Sequence, residues 1–133
     1  MNNTATEKVV RKHLETFIGQ KGIPAMLTDY DPAARLYSAE RVYEGHGEIG
    51  EFLADFMRGL PPAGVERFKV GSFRVDGELA FITWSVGSDI PLGTDTFVVR
   101  DGKIVSQTFA MHVSKDRSGS LAARPQAFEL KTA

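Results

Sequence analysis

Two side chains stand out for the chemistry they can do. Asp95 lies in the segment TDTFVV, where Asp95, Phe97 and Val99 alternate with other residues. An extended chain sends alternate side chains to one face, so this carboxyl shares a face with an apolar ring. Losing hydration there raises a carboxyl's pKa and favours its neutral form. Neutral, it donates a hydrogen bond to a developing oxyanion; ionised, it accepts a proton. The plainer reading is a strand-end aspartate paired with a backbone group or with Arg100. His13 falls on the apolar side of an amphipathic segment, near Phe17. Histidine suits proton transfer near neutral pH, yet at such a place it also serves as a hydrogen-bonded core residue. Within hydrogen-bond reach of each other, His13 and Asp95 form an acid–base dyad.

A pocket around this pair follows from the alternation. Gln107, Phe109 and Met111 alternate together in the last apolar run, and Thr83 and Ser85 share a face in the run LAFITWSV. If these sets and Asp95 with Phe97 all face the concave side of one sheet, the interior is apolar at one end and polar at the other. That is the composition of a small-molecule site; the alternative is that Thr, Ser and Gln are tolerated near a sheet edge. Phe17 and Phe56 on helices and the phenol of Tyr30 complete the expected lining, Tyr30 serving otherwise as a core residue with an anchored hydroxyl. The opposite phase of LAFITWSV holds Ala80, Ile82, Trp84 and Val86. This set is expected on the convex face, where it calls for a second copy of the chain. The expectation is a homodimer packed sheet to sheet through Ile82 and Trp84. His46, before a helix, is expected in solvent, and His112 on the convex side. The three histidines share no metal-ligand spacing, and no Gly-rich phosphate frame or Gly-x-Ser-x-Gly elbow occurs. Neither a metal nor a cofactor is expected.

The elements that must hold these residues come in two blocks. Thr4 or Thr6 can cap a helix, with Glu7 in its first turn and Val9, Val10, His13, Leu14, Phe17 and Ile18 at helical spacing; Gly19 and Gly22 end it. A short helix over 23–29 places Pro24 in its first turn, and Asp31-Pro32 breaks it. Two short strands, 34–38 and 42–43, lead to a third helix over 47–59. Its Ile49, Phe52, Leu53, Phe56, Met57 and Leu60 form one apolar stripe, stopped by Pro61-Pro62. Strands follow at 65–75, 79–86, 94–100 and 104–113, with hairpin turns at Asp76-Gly77 and Asp101-Gly102 and a loop over 87–93. Helices first and a meander after give an α+β fold. The domain spans 1–113, and 114–133 is a polar tail whose Leu121, Phe128 and Leu130 either dock or fray with it.

The whole chain is consistent with one such domain. It has 133 residues, 16 Lys+Arg against 17 Asp+Glu, a net charge of −1 and no cysteine. That length suits a single domain. The charge balance argues against nucleic acid, which needs a basic stripe, and against an anionic membrane surface. No apolar run approaches the ~20 residues of a bilayer span, and the polar start MNNTATEKVVRKH has no signal core. A cytoplasmic protein is expected.

Three segments carry a resemblance. RVYEGHGEIGEFL resembles the strand-to-third-helix signature of the nuclear transport factor 2-like superfamily, especially its SnoaL-like and ketosteroid-isomerase-like branches. GTDTFVVRDGKIVSQTF resembles the paired C-terminal strands of the same group, and KGIPAMLTDYDPAARLY its second helix and first strand. The resemblance runs over 5–113. It implies a cone of three N-terminal helices packed on a curved, mostly antiparallel sheet, a conical pocket for a small hydrophobic ligand, and a dimer through the convex face. Relatives include isomerases, cyclases, dehydratases and binding proteins without catalysis. Ketosteroid isomerase uses an Asp base and an oxyanion hole of a Tyr and a protonated Asp. Laid on that pattern, Asp95 matches the oxyanion-hole Asp, His13 falls where the Tyr donor sits, and Ser38 falls at the base. Serine has no useful basicity at pH 7, so the base stands elsewhere or the reaction differs. Limonene epoxide hydrolase relatives carry an Arg and a further Asp where this chain has Gly93 and Phe109. Two functions follow from the resemblance: a cofactor-independent isomerase, cyclase or dehydratase working by acid–base chemistry, or a non-catalytic module binding a small ligand.

Overall fold

A computed structural model describes residues 3–114; the tail beyond, with Leu121, Phe128 and Leu130, lies outside the described residues. The element order is α1 (Asn3–Ile18), α2 (Ile23–Leu27), β1 (Tyr30–Tyr37), β2 (Val42–Glu44), α3 (Gly45–Arg58), α4 (Gly64–Arg67), β3 (Phe68–Asp76), β4 (Leu79–Val86), β5 (Ile90–Arg100) and β6 (Lys103–His112). The strands form one six-stranded sheet in the order β2-β1-β6-β5-β4-β3. All neighbours are antiparallel except β1 and β6, which run parallel. The fold is α+β, with a curved sheet and, among the described residues, four helices where three were expected.

The helices pack on the concave face. α1 buries Val10, His13, Thr16 and Phe17, and α3 buries Ile49, Phe52 and Leu53 from its apolar stripe. The start of α1 is tied to the β3–β4 hairpin, and Thr4 and Thr6 lie inside the helix. Thr6 Oγ1 donates to the Gly77 carbonyl at 2.6 Å, and the Gly77 N–H donates to Asn3 Oδ1 at 2.8 Å. This anchor fixes the axial position of α1 and so the height of His13 above the sheet.

Several expected boundaries move, each for a local reason. β1 begins at Tyr30, so Asp31-Pro32 lies inside a strand. The β1–β6 register shifts between Tyr30 and Arg35, and a bulge is where a strand tolerates a proline without N–H. The chain after Pro61-Pro62 makes the short α4 instead of starting a strand; Ala63 turns left-handed there at φ 57°. β5 starts at Ile90, and its Pro91 lies beyond the last β4–β5 pair, Trp84 with Gly93. The turn at Asp101-Gly102 has φ of 53° and 77°, the two positive values of a type I′ hairpin.

The largest correction concerns the faces of β4. Residues paired across antiparallel strands share a face. Ile82 pairs with Asp95, Trp84 with Gly93, Asp95 with Phe109 and Phe97 with Gln107. Ile82 and Trp84 therefore point to the concave side, at 1% and 3% exposure, and cannot form a convex dimer surface. Thr83 and Ser85 stand on the convex side, opposite the phase expected for them. The indole fits because Gly93 faces it: a Cβ there would overlap the Trp84 ring. Thr83 instead repairs a break in the sheet. The β3–β4 register shifts between Val70 and Phe73, and the Ser72 N–H freed at that bulge donates to Thr83 Oγ1 at 2.8 Å.

Candidate functional site

Between α1, α3 and the concave sheet lies a cavity of about 50 Å³. Seven aromatic rings line it, among them Phe17, Phe56, Trp84 and Phe109, together with Leu14, Met26, Leu53 and Ile82. Trp84 is central among them. Phe68 stacks on it at 5.2 Å between centroids, Phe56 meets it edge-on at 5.7 Å, and Phe109 lies stacked at 6.2 Å. The polar lining consists of His13, Asp95 and Gln107, with Trp84 Nε1 and Gln107 both bonded to Asp95. An apolar wall with a few convergent polar groups is the make-up of a small-molecule site, here at a volume well below the roughly 300–1,000 Å³ usual for one.

Asp95 is 7% exposed on β5. Trp84 Nε1–H donates to its Oδ1 at 2.7 Å, and Gln107 Nε2–H donates to its Oδ2 at 2.6 Å. Burial pushes its carboxyl up to about 6, against the pull of those two hydrogen bonds and of the charge on His13. A carboxyl so placed is largely ionised at neutral pH yet easily protonated, which matches the demand on a general base. Arg100 is not its partner; that guanidinium binds Glu78 at 3.0 Å.

The condition for a His13–Asp95 dyad, direct hydrogen-bond reach, is not met. Two side chains stand between them instead. His13 Nδ1 lies 3.0 Å from Asp29 Oδ2, and His13 Nε2 lies 3.3 Å from Tyr30 Oη. Tyr30 Oη–H donates to Gln107 Oε1 at 2.5 Å, and Gln107 passes the connection to Asp95. At the outer end Lys12 Nζ donates to Asp29 Oδ1 at 2.5 Å, its own side chain 59% exposed. Burial alone would raise the Asp29 carboxyl, but the hydrogen bonds from His13 and Lys12 and their charges hold it below the usual value. Burial pushes the Tyr30 phenol well above its ordinary value, reinforced by the charges of Asp95 and Asp29.

The remaining candidates divide plainly. Phe17, Phe56, Phe97, Gln107 and Phe109 line the cavity. Tyr30, buried at 1% exposure, lies behind the wall and acts through its hydroxyl. Met111 pairs with Gly93 on the concave side and packs on the core beyond the cavity. Ser38 closes the β1–β2 turn, its Oγ donating to the Arg41 carbonyl at 3.0 Å and accepting from the Arg41 N–H at 3.2 Å. It does not reach the cavity, and neither do Thr83 and Ser85. His46 is half-buried rather than in solvent, with Nε2 2.8 Å from the Tyr30 carbonyl oxygen. His112 is exposed opposite Leu92. Among the described residues no three His, Asp or Glu cluster as metal ligands, and no helix is long and apolar enough to cross a membrane.

Two residues of the polar chain differ from expectation. Trp84 faces the cavity and not the convex side, and Gly93 in phase with Asp95 is the signal in the sequence that a bulky partner sits opposite. Asp29, in the turn after α2, carries no such signal, because its partners lie 16 and 17 residues away on α1.

No family model matches this chain, and no curated protein matches it. Solved structures do. An NTF-2 like protein of unknown function from Burkholderia xenovorans LB400 is 18% identical, over 92% of this chain and 97% of that one, with a TM-score of 0.66. A candidate SnoaL-like polyketide cyclase from Jannaschia sp. CCS1 is 16% identical, over 82% and 86%, with a TM-score of 0.64. TerC, co-crystallised with polyporic acid, is 17% identical, over 81% and 92%, with a TM-score of 0.60. Identities this low carry the architecture and not the activity. Element order, sheet and cavity together establish that this chain has the nuclear transport factor 2-like fold, the fold of the SnoaL-like proteins.

Proposed function

We propose that the chain binds a small, flat, hydrophobic molecule bearing a carbonyl or hydroxyl oxygen, and that Asp95 exchanges a proton with it. One observation carries this reading: a single carboxyl, held by two N–H donors, faces a cavity whose wall is mostly aromatic and aliphatic. Rings stack favourably on flat ligands, and an ionised carboxylate in an apolar cleft is a ready acceptor for a proton next to a carbonyl. The chemistry suggested is cofactor-independent isomerisation, cyclisation or dehydration. The co-crystal of TerC with polyporic acid supports a small-molecule role for this architecture.

Trp84 is the chain's single tryptophan and lines the cavity, so its fluorescence reports occupancy. Titration with flat phenols and cyclic ketones, such as 2-naphthol and 2-tetralone, is expected to quench it saturably. For 2-tetralone in D2O, deuterium uptake beside the carbonyl is expected to accelerate and to fall by about 100-fold in Asp95→Asn, the usual scale of a general base. Absence of saturable quenching across the panel defeats the pocket reading.

A non-catalytic binding module is the second reading. It is favoured by two features: no buried side-chain nitrogen or oxygen among the described residues lacks a partner, and Ser38 supplies no second acid or base. Saturable binding with no deuterium uptake beyond that of Asp95→Asn selects it.

The homodimer is proposed on different residues from those first expected. The convex columns Phe81-Thr96-Thr108 and Thr83-Thr94-Ala110, with exposed Leu92 and Leu79 beside them, offer a flat face of small and apolar side chains. Thr96→Arg at its centre is expected to turn a dimer into a monomer in sedimentation; a monomeric unaltered chain at micromolar concentration defeats this pairing. A cytoplasmic setting remains part of the same proposal.

A further inference from the structure

The buried polar chain beside the cavity can be solved for its protons. Trp84 Nε1 and Lys12 Nζ are donors only, so Asp95 Oδ1 and Asp29 Oδ1 are acceptors always. Asp29 stays a carboxylate, so its Oδ2 accepts from a proton fixed on His13 Nδ1. The Tyr30 phenol does not ionise, so it brings one proton, which it can give in one direction only. What remains open is Asp95 Oδ2, the orientation of the Gln107 amide, and His13 Nε2.

Two assignments satisfy every atom. In the first, Gln107 Nε2–H donates to the Asp95 carboxylate and Tyr30 donates to Gln107 Oε1, as the atoms stand. Tyr30 Oη must then accept, so His13 Nε2 carries a proton and the ring is an imidazolium. In the second, Asp95 Oδ2 carries a proton and donates to Oε1 of an amide turned over. Gln107 Nε2–H then donates to Tyr30 Oη, Tyr30 donates to His13 Nε2, and the ring is neutral. The proton count is the same in both: one N–H bond on His13 is exchanged for one O–H bond on Asp95, and no other group changes charge. An amide's orientation is a choice between these patterns, so Gln107 is the switchable link.

We propose that Asp95 and His13 are the two ends of one shared-proton unit, joined through Gln107 and Tyr30, in which a carboxylate at one end requires an imidazolium at the other. The surroundings leave few competing charges. Asp95 meets Trp84 from β4 and Gln107 from β6, and feels the charge of His13 from α1. His13 meets Asp29 after α2, Tyr30 on β1 and the Phe97 ring on β5 at 5.9 Å. Lys12 is bound to the far oxygen of Asp29, and α3 presents only Phe52, Leu53 and Phe56 to the cavity. Tyr30 and Gln107 are thus positioning residues. They make a proton taken up by Asp95 sensitive to the state of a ring whose other side leads, through Asp29 and Lys12, to the exposed surface. The inference rests on Asp95 as the proton-handling group of the proposed function, but it concerns the resting protein and is tested without a ligand.

The experiment follows the ring nitrogens of His13 and the carboxyl carbon of Asp95 by NMR in the full chain, from about pH 4 to about pH 8, the range that brackets both side-chain types. In the unaltered chain the two curves are expected to share their inflection points, as coupled sites do; single steps at unrelated pH values overturn the proposal. Asp95→Asn mimics the protonated end and is expected to lower the His13 midpoint by about one pH unit, tenfold in proton affinity. In a Tyr30→Phe background the same substitution is expected to move it by less than about a third of that. Equal movement in both backgrounds means the two groups sense each other through space alone, and overturns the shared proton. Gln107→Met provides a second break in the chain should Tyr30→Phe fail to fold, with the same two outcomes. Failure here leaves the Trp84 quenching result untouched, and failure of quenching leaves this result untouched.

Discussion

The two faces of the sheet are built from the same strands, and they differ in what a polar atom is allowed to do. On the convex face the threonines and serines of β4, β5 and β6 stand half-buried or exposed. Where one of them has a defined partner, as Thr83 does with the Ser72 N–H, the bond mends the sheet. On the concave side one run of deeply buried polar groups is bonded member to member, from Trp84 through Asp95, Gln107, Tyr30 and His13 to Asp29. Polar atoms at a surface have water as an alternative partner; those in the cone have only one another. The proposed reactivity rests on that difference, since burial is what raises the Asp95 carboxyl.

The contrast breaks first at the indole. Trp84→Ala removes the centre of the ring wall and the donor to Asp95 Oδ1, and is expected to cost about 3–5 kcal/mol in urea unfolding, as large-to-small core substitutions do. A cost under about 1 kcal/mol, the level of an ordinary surface change, would mean that the concave face is not the tightly packed one.

The next effect is in pH. The folded-state pKa of Asp95 lies above the ordinary aspartate value, at about 6 against 3.8, so the folded chain holds this proton more tightly than the unfolded one. Its contribution to stability is fully present below about pH 4 and is lost as pH rises to about 6, on the order of 3 kcal/mol in all. Asp95→Asn keeps the shape and removes the titration. The difference in unfolding free energy between the unaltered chain and this variant is expected to change across that window and to be flat above it. A difference that is flat throughout contradicts the burial of a charged group.

The smallest effect sharpens the comparison from the other side. Thr83→Val deletes the acceptor for the bulge N–H and is expected to cost about 1 kcal/mol, one hydrogen bond. It should leave Trp84 quenching by 2-naphthol unchanged. Altered quenching would show that the two faces are not separate.

The fold was largely legible in the sequence because its signals are local. The apolar stripe of α3, the Asp-Gly hairpins and the strand alternation each need only a few neighbouring residues. The faces of β4 were not, because LAFITWSV is apolar in both phases. Which phase turns inward is decided across strands, by the pairing of Ile82 with Asp95, by the room left at Gly93 and by the bulge at Gly71-Ser72. The site was half legible for the same reason. Asp95 announces itself by alternating with Phe97, whereas Asp29 gains its role from the packing of α1 beside the end of α2. The link from Tyr30 to Gln107 spans 77 residues of chain.

The claim on which the account turns is that a poised carboxyl faces the cone. The carboxyl carbon of Asp95, followed through pH in the unaltered and ligand-free protein, measures it directly. The account predicts an apparent midpoint near 6. A midpoint at about 4, that of an aspartate in water, would contradict it.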